Sequence, residues 1–387
     1  MQKPAASRER WETRRRAFDA ECGEWSVSGR SDIATRNEAG KGGGMQGHGL
    51  MEFYSFLRHN ILMNKTVKIL LGCCLGLFAA VVVYFLAIYF VLFRPNFTNS
   101  RGERTAESET VFFNGKENYE KHLADAKWLN ETAGDRLEIS SFDGLKLKAI
   151  YLEAERDCQG TVLLMHGFKS GPVREFATLA RLFHEMNFNV VLPFQRAHGE
   201  SEGSLITFGI KERFDCRDWI KKINSLYGDD FPLFVGGISM GCATVTMSCG
   251  FDYPENVRGF IADCGFTSPW EITWWTATKL MNIPDFLATI FVNSMDFIGR
   301  VFFDYPLKGF SSFEGLSTCS RPVLFISGTD DWTVPCEMTV NNFLFYKNIQ
   351  PDNAELLLVE GAPHAISYMY DSERYNNAVV NFISKNK

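Results

Sequence analysis

Residues 236–242, with the sequence GGISMGC, place a serine between two glycines. This stretch follows the apolar run FPLFV and precedes a helix-like stretch that begins at Met240. A sharp turn from a buried strand into a helix strains the backbone of its serine and exposes the hydroxyl. Side chains at Gly237 or Gly241 would collide with the neighbouring strand or helix, while the helix N-terminus would stabilise developing negative charge. The setting therefore predicts that Ser239 is a nucleophile.

A serine hydroxyl is a poor nucleophile at neutral pH, so this hypothesis requires a base and an acid that orients the base. Candidates for both follow later predicted strands. The strand PVLFIS leads into GTDDWTVP, which contains Asp330 and Asp331, and the strand ELLLVEG leads into APHAI, which contains His364. Asp263, after the strand GFIA, is a minor alternative for the acid. Because ligands bind at the carboxyl ends of parallel strands, we expect the true partners to meet Ser239 there.

The elements that must position these residues follow from hydrophobic patterning. Short apolar strands alternate with amphipathic helices, and two early strands are joined by a hairpin signal at residues 142–144. The predicted strands are RLEIS, LKLKAIYL, TVLLMHG, NVVLP, PLFVGG, VRGFIAD, PVLFISG and AELLLVEG. The predicted helices cover residues 174–186, 209–227, 240–251, 336–348 and 372–386. This order predicts an α/β fold with a mostly parallel eight-stranded sheet and helices on both faces.

One segment before this domain has a different composition. Residues 69–93 form a run of 25 residues without a charge, which is long enough to span a bilayer. We therefore predict a transmembrane helix over residues 66–93, acting as an uncleaved signal-anchor. A disordered tail over residues 1–65 and a polar linker over residues 94–125 would flank it. We hypothesise that the natural chain begins at Met45 or Met51.

The orientation of this predicted helix is open, because three basic residues lie on each flank. A single N-terminal anchor before a large domain favours a cytoplasmic N-terminus and an external C-terminal domain. The seven cysteines of that domain show no metal-binding spacing, and we expect most of them to be small buried residues. Outside the cell, cysteines usually pair in disulfides, and an odd number of cysteines without a spacing pattern does not fit that environment well. The orientation therefore stays a hypothesis.

Charge limits the partners of the C-terminal domain. Residues 94–387 carry 28 basic and 38 acidic side chains, a net charge of −10. Such a domain repels nucleic acids and anionic lipid surfaces, so no nucleic-acid partner is expected. No residue pattern calls for a metal ion or an organic cofactor.

These motifs give residues from about 135 to 387 a resemblance to the α/β-hydrolases, most closely to membrane-anchored serine hydrolases of Gram-positive bacteria. The order Ser239, Asp331, His364 is that of the superfamily's catalytic triad, and GTDDWTVP resembles its Gly-x-x-Asp-x-x-Val-Pro, which selects Asp331 over Asp330. The HGF motif resembles the oxyanion loop, so the resemblance assigns the oxyanion hole to the backbone N–H groups of Phe168 and Met240.

Two further segments are compared with the family. The sequence QRAHGESEG resembles the loop after the next strand, but Phe194 stands where the family has aspartate, which puts the fine positioning of that loop in doubt. Residues 266–318 are too long for an ordinary connection and rich in aromatics, and the resemblance makes them a helical lid. An aromatic lid favours an apolar acyl or aryl group on the substrate, although the same rings could simply pack the lid onto the core or onto the bilayer surface.

The resemblance implies a membrane-anchored serine hydrolase that cleaves carboxylic esters through an acyl-enzyme, within a hydrolase domain over residues 126–387. Its partners would be a small-molecule ester, or a short acyl or peptidyl substrate, and the membrane. A peptidase, amidase or thioesterase with the same three residues is the alternative, as is a non-catalytic binding protein that keeps the fold. An intact Ser239, Asp331 and His364 set favours an enzyme.

Overall fold

The computed structural model describes residues 65–94 and 106–387. The predicted tail and both alternative start methionines lie outside these residues. Twelve α-helices are found in the described chain. They are α1 (Lys65–Phe93), α2 (Ala106–Phe112), α3 (Lys116–Thr132), α4 (Pro172–Glu185), α5 (Glu212–Tyr227), α6 (Met240–Ser248), α7 (Pro269–Trp275), α8 (Asp285–Phe302), α9 (Ser312–Thr318), α10 (Cys336–Ile349), α11 (Ser367–Tyr370) and α12 (Ser372–Asn386).

The strands form a single eight-stranded sheet in the order β1-β2-β4-β3-β5-β6-β7-β8. They are β1 (Leu137–Ser140), β2 (Lys146–Leu152), β3 (Gly160–Met165), β4 (Phe188–Pro193), β5 (Leu233–Ile238), β6 (Val257–Asp263), β7 (Val323–Gly328) and β8 (Ala354–Val359). Strand β2 runs antiparallel to both of its neighbours, and the pairs from β4 through β8 are parallel. The predicted mostly parallel sheet of eight strands is confirmed.

The core consists of two apolar layers, one on each face of the sheet. Alternate residues of each strand point to opposite faces, so Val162 and Leu164 of β3 join one layer while Leu163 and Met165 join the other. Helices α4 and α12 contribute to the first layer, and α5 and α6 to the second. The layers explain why the inner strands read as continuous apolar runs: β3, β4, β5 and β7 are buried at every residue.

The segment predicted as a polar linker, residues 94–125, contains helical structure. Helix α2 and the first part of α3 lie in it, and α3 continues beyond it to Thr132. His122 and Leu129 of α3 are buried, and the Phe113 ring stacks on the His122 imidazole at 4.3 Å. Burial of a few side chains on one face orders α3 although most of its residues are polar, which is why composition alone suggested a linker.

The apolar segment predicted to span a membrane is helical, because α1 covers it in 29 residues. Across the described residues, no helix was found to be long and apolar enough for a membrane crossing. The end of α1 is packed against the domain that contains the sheet. Tyr89 and Phe93 are buried, the Tyr89 ring stacks on Phe303 at 5.0 Å, and its hydroxyl donates to that of Tyr305.

The long connection between β6 and β7 is an inserted, mainly helical segment, as the sequence predicts. It holds α7, a π-helical turn at Thr276–Leu280, α8 and α9. Helix α8 buries Val292 and Met295 on one side and exposes large apolar side chains on the other.

Candidate functional site

The turn between β5 and α6 has the backbone of a nucleophile elbow. Ser239 adopts φ 58° and ψ −119°, a conformation that is strained for a residue with a side chain. A Cβ at Gly237 would lie 2.3 Å from the carbonyl oxygen of Gly241, and one at Gly241 would lie 1.8 Å from that of Met165. Both glycines are therefore needed for α6 to pack closely on β5 and β3, which confirms the steric argument made from the sequence.

The structure brings Ser239, His364 and Asp331 into one hydrogen-bonded line. The Oγ of Ser239 lies 2.9 Å from Nε2 of His364, and Nδ1 of the same ring lies 2.6 Å from Oδ2 of Asp331. With Nδ1 protonated, the ring donates to the carboxylate and accepts from the serine, which is the tautomer that a general base requires. The His364 side chain is 19% exposed, so the ring is accessible from solvent.

The geometry separates the three candidate acids. Asp331 is buried, and its Oδ1 accepts hydrogen bonds from the backbone N–H groups of Thr333 and Val334, each at 2.9 Å. These bonds fix the carboxylate so that its second oxygen faces the His364 ring. Asp330 is exposed, and its Oδ1 accepts from the Thr329 hydroxyl at 3.5 Å.

Asp263 is buried beside the site and has a different partner. The hydroxyl of Tyr375 donates to its Oδ2 at 3.0 Å, while Oδ1 has no hydrogen-bond partner. Burial raises the pKa of the Asp263 carboxyl to about 7, with Tyr375 and the His364 charge acting in the opposite direction. A carboxyl that is partly neutral near pH 7 is a weaker orienting group than Asp331 for the ring of His364.

Charges around His364 set its basicity. Burial alone would lower the pKa of His364, but the carboxylates of Asp331, Glu175 and Asp263 outweigh burial and raise it above its ordinary value. A raised pKa increases the affinity of the ring for the proton that it takes from a nucleophile. The site is therefore electrostatically arranged to stabilise an imidazolium.

The loop after β3 lies directly against Ser239. A Cβ at Gly167 would be 3.2 Å from the Cβ of Ser239, and Phe168, the first predicted oxyanion-hole donor, is the next residue of this loop. Met240, the second predicted donor, is the first residue of α6. The N–H of Met240 therefore belongs to the positive end of the helix dipole.

Two neutral histidines support this loop. The Nδ1 of His166 donates to the carbonyl of Gly167 at 2.8 Å, and Nε2 accepts from the N–H of Gln195 at 3.1 Å. His198 donates through Nδ1 to the carbonyl of Arg196 and accepts from the N–H of Lys169 at 3.0 Å. Burial lowers the pKa of both rings and so favours their neutral form. Each ring therefore links the two loops by donating one hydrogen bond and accepting another.

The loop QRAHGESEG tolerates its unusual Phe194. A Cβ at Gly199, where φ is 51°, would lie 2.3 Å from the Phe194 ring, so the ring occupies the space beside the glycine. Arg196 anchors the same loop through two 2.6 Å bonds to the carboxylate of Asp215 and bonds to Asp143. These ion pairs hold the loop in place although no aspartate stands at position 194.

One cluster of potential metal ligands occurs in the described chain, formed by Cys264, Asp331 and His364, whose ligand atoms all lie within 4.8 Å of one another. Burial, together with the charges of Asp263 and Asp331, raises the pKa of the Cys264 thiol well above its ordinary value. A protonated thiol is a poor metal ligand, and the other two side chains already bond to each other.

Sequence reasoning missed Glu175 as a member of the site. Its Oε2 accepts a hydrogen bond from the N–H of Gly167 at 2.6 Å. In the sequence, Glu175 looks like an ordinary acidic residue in the first turn of a helix, and no motif marks it. Only the approach of α4 to the loop after β3 gives this side chain its position.

Comparison with known proteins identifies the fold. Residues 156–298 match the family model of serine aminopeptidases, S33. The structure of the Pyrococcus furiosus esterase Pf2001 in space group P21 superposes with a TM-score of 0.53 at 21% identity, covering 67% of this chain and 94% of that one. The chain has the α/β-hydrolase fold.

Two curated proteins are similar to this hydrolase-fold chain in sequence. The uncharacterized protein YqkD of Bacillus subtilis (strain 168) is 25% identical over 246 residues, which are 63% of this chain and 77% of YqkD. The alpha/beta hydrolase domain-containing protein WAV2 of Arabidopsis thaliana is 22% identical over 254 residues, 64% of this chain and 77% of WAV2. The predicted α/β-hydrolase fold is confirmed; attachment to a membrane is not part of this finding.

Proposed function

We propose that this α/β-hydrolase cleaves carboxylic esters, with Ser239 as nucleophile, His364 as general base and acid, and Asp331 as the orienting acid. The observation that carries the proposal is the pair of hydrogen bonds through the His364 ring, at 2.9 Å to Ser239 and 2.6 Å to Asp331. The strained backbone at Ser239 supports it, because such strain at a non-glycine residue occurs chiefly where function requires it.

The chemistry proceeds in two halves. Nε2 of His364 takes the proton of the Ser239 hydroxyl while Oγ attacks the ester carbonyl carbon and the carbonyl π electrons move to its oxygen. When the tetrahedral intermediate collapses, the C–O bond to the alcohol breaks and His364 returns the proton to that oxygen. Water, deprotonated by His364, then attacks the acyl-enzyme, and the carboxylic acid leaves as the proton returns to Ser239.

The oxyanion of each tetrahedral intermediate needs donors that are already in place. We assign this role to the backbone N–H groups of Phe168 and Met240. Support comes from the contact of the Gly167 loop with Ser239 and from the place of Met240 at the start of α6. Fixed donors in a site that excludes water are worth a factor of about 10² to 10³ in rate each.

Peptides, amides and thioesters are the alternative substrates within the same chemistry. The serine aminopeptidase model favours a peptide bond, whereas the solved relative named an esterase favours an ester. Esters have the better leaving group and require the least from the general acid. A non-catalytic binding module is disfavoured, because it would gain nothing from holding Ser239 in a strained turn beside His364.

We also propose that the insertion over residues 266–318 is a lid that holds the acyl or aryl group of the substrate. Phe266, Ile272 and Trp275 of this segment pack in one apolar cluster with Phe168 and Met240. The insertion and the oxyanion loop therefore form one continuous apolar surface. This arrangement suits an apolar substrate group better than a charged one.

A fluorophosphonate probe tests the proposal directly. The full chain should be used, because the end of α1 packs into the hydrolase domain. We expect labelling of the wild type, none of Ser239→Ala, and normal labelling of Ser225→Ala, which removes an exposed serine of α5. Equal labelling of wild type and Ser239→Ala would refute the mechanism. A panel of ester, thioester and aminoacyl-peptide substrates would then rank the substrate classes.

Attachment to the cell membrane through α1, with the hydrolase domain outside, is a further part of the proposal. Support comes from the charge-free sequence of residues 69–93 and from the exposed apolar side chains Leu75, Leu77 and Val91 of α1. Helix α8 likewise exposes Phe286 and Phe297.

Alkaline carbonate extraction should leave the chain in the membrane pellet, and protease added to intact cells should digest the hydrolase domain. Release by carbonate would refute the anchor, and protection would reverse the orientation.

A further inference from the structure

The N–H of Gly167 is held by a carboxylate that lies outside the predicted catalytic set. Glu175 accepts this hydrogen bond through Oε2 at 2.6 Å, a length typical of a strong bond to a charged acceptor. Glu175 belongs to the first turn of α4, which begins after Gly171 without a side-chain cap. A negative charge at this end of a helix is stabilised by the helix dipole, so the carboxylate is favoured as an anion there.

The same carboxylate lies close to the nucleophile. A Cβ built on Gly167 would meet Oε1 of Glu175 at 3.1 Å and the Cβ of Ser239 at 3.2 Å. Glu175 and Ser239 therefore flank the α-carbon of Gly167, and this residue directly precedes Phe168. The bond from Glu175 fixes the peptide plane that enters Gly167, while the bond from His166 to the Gly167 carbonyl fixes the next plane, which carries the Phe168 N–H.

The loop is fixed from its other side as well. His166 bonds the carbonyl of Gly167 at 2.8 Å, and His198 accepts from the N–H of Lys169. Glu175 supplies the bond to the N–H of Gly167, which precedes these two contacts in the chain. Without it, the first of the three hydrogen bonds that hold the loop would be lost.

We propose that Glu175 is a positioning residue that sets the orientation of the Phe168 N–H in the oxyanion hole and stabilises the protonated ring of His364 during acyl transfer. This inference rests on the proposed function. The first role requires only a hydrogen-bond acceptor at position 175, whereas the second requires a negative charge. Two substitutions can therefore separate them.

The electrostatic role has to be judged among all the groups around His364. Asp331 contacts the ring directly, and Asp263 and the thiol of Cys264 lie on the neighbouring strand end. Glu175 bonds to the loop residue Gly167, and its charge contributes to the raised pKa of His364. Removal of this charge should lower that pKa, since one of the carboxylates that favour the imidazolium is lost.

The experiment compares Glu175→Gln, Glu175→Ala and Glu185→Ala in the full chain. Glu185 is the control, because it lies at the far end of the same helix and its side chain is 62% exposed. Steady-state kinetics should be measured with one activated ester across pH, together with hydrogen exchange of the Gly167 amide and thermal unfolding.

We expect Glu175→Ala to lose a factor of about 10 to 100 in kcat with little change in KM, since an oxyanion donor becomes misplaced. Glu175→Gln should recover most of this kcat, because its amide oxygen can still accept from Gly167, while the acid limb of its kcat/KM profile moves to lower pH. Exchange of the Gly167 amide should accelerate in Glu175→Ala only. Glu185→Ala should match the wild type in every measurement.

Several outcomes would overturn the inference. These are a wild-type kcat in Glu175→Ala, a rise in KM alone, or an unshifted pH profile in Glu175→Gln. A Gly167 amide that exchanges equally fast in all variants would also contradict the hydrogen bond itself. Absence of wild-type fluorophosphonate labelling would instead refute the proposed function, while the exchange experiment would still test the contact of Glu175 with Gly167.

Discussion

The Oγ of Ser239 lies 2.9 Å from Nε2 of His364, a residue 125 positions later in the chain. This contact joins the turn after β5 to the loop after β8, on strands that are not neighbours in the sheet. Strands β6 and β7 lie between them, and the loop after β7 delivers Asp331 to the other side of the ring. The sheet order therefore assembles the line of three side chains at one edge.

Two single substitutions, Asp331→Asn and Asp330→Asn, should have different effects on kcat. Asp331→Asn should lower kcat by a factor of about 10² to 10⁴, because an amide no longer stabilises the imidazolium or holds the correct tautomer. Asp330→Asn is the matched control and should keep wild-type kcat, since Asp330 is exposed. Hydrolysis of an activated ester measures both. Damage from Asp330→Asn alone would mean that the acid has been assigned wrongly.

The pH profile of kcat/KM should show an acid limb with a midpoint above the ordinary histidine value of about 6.5. Activity requires the neutral ring, and the surrounding carboxylates raise the pKa of His364, so protonation inactivates the enzyme at a higher pH than usual. Activity should thus fall as pH decreases through this midpoint. A limb centred below pH 6 would show that burial outweighs the carboxylates.

Gly241→Ala should destabilise the fold and abolish probe labelling. Its new methyl group would lie 1.8 Å from the carbonyl oxygen of Met165, so α6 would have to move away from β3. Such overpacking costs about 3 kcal/mol or more in the free energy of unfolding. Gly134→Ala is the control, because a Cβ there meets no atom within 4 Å. Denaturant unfolding measures both variants, and equal stabilities would contradict the packing described for the elbow.

Arg196→Met should destabilise the protein by about 3 to 5 kcal/mol, because it leaves the buried carboxylate of Asp215 without its partner. The comparison is Arg300→Met, which removes an ion pair to Asp296 from a side chain that is 57% exposed. Loss of that exposed pair should lower the free energy of unfolding by no more than about 1 kcal/mol. Chemical denaturation of the two variants gives the difference, and similar losses would argue against a structural role for the buried pair.

Much of the site could be predicted from the sequence, since it depends on short-range patterns. The strand run before Ser239, the glycines beside it and the helix after it are local features, and each restricts the backbone within a few residues. The order of strands and helices likewise follows from apolar periodicity. These features predicted the elbow, the eight-stranded sheet and the strand ends that carry Asp331 and His364.

The remaining features depend on contacts between distant residues. Asp330, Asp331 and Asp263 all follow strands, and the turn that offers the N–H groups of Thr333 and Val334 decides which carboxylate faces His364. The helices within residues 94–125 are ordered by burial against the domain, a contact that their polar composition conceals.

Glu175 illustrates the same limit most clearly. Nothing within a few residues of it differs from an ordinary helix N-terminus, and its role arises only where α4 meets the loop after β3. Local sequence thus determined which chemistry the chain can attempt. Tertiary structure decided which carboxylates serve it, because the position of a charge relative to a ring depends on how separate elements pack.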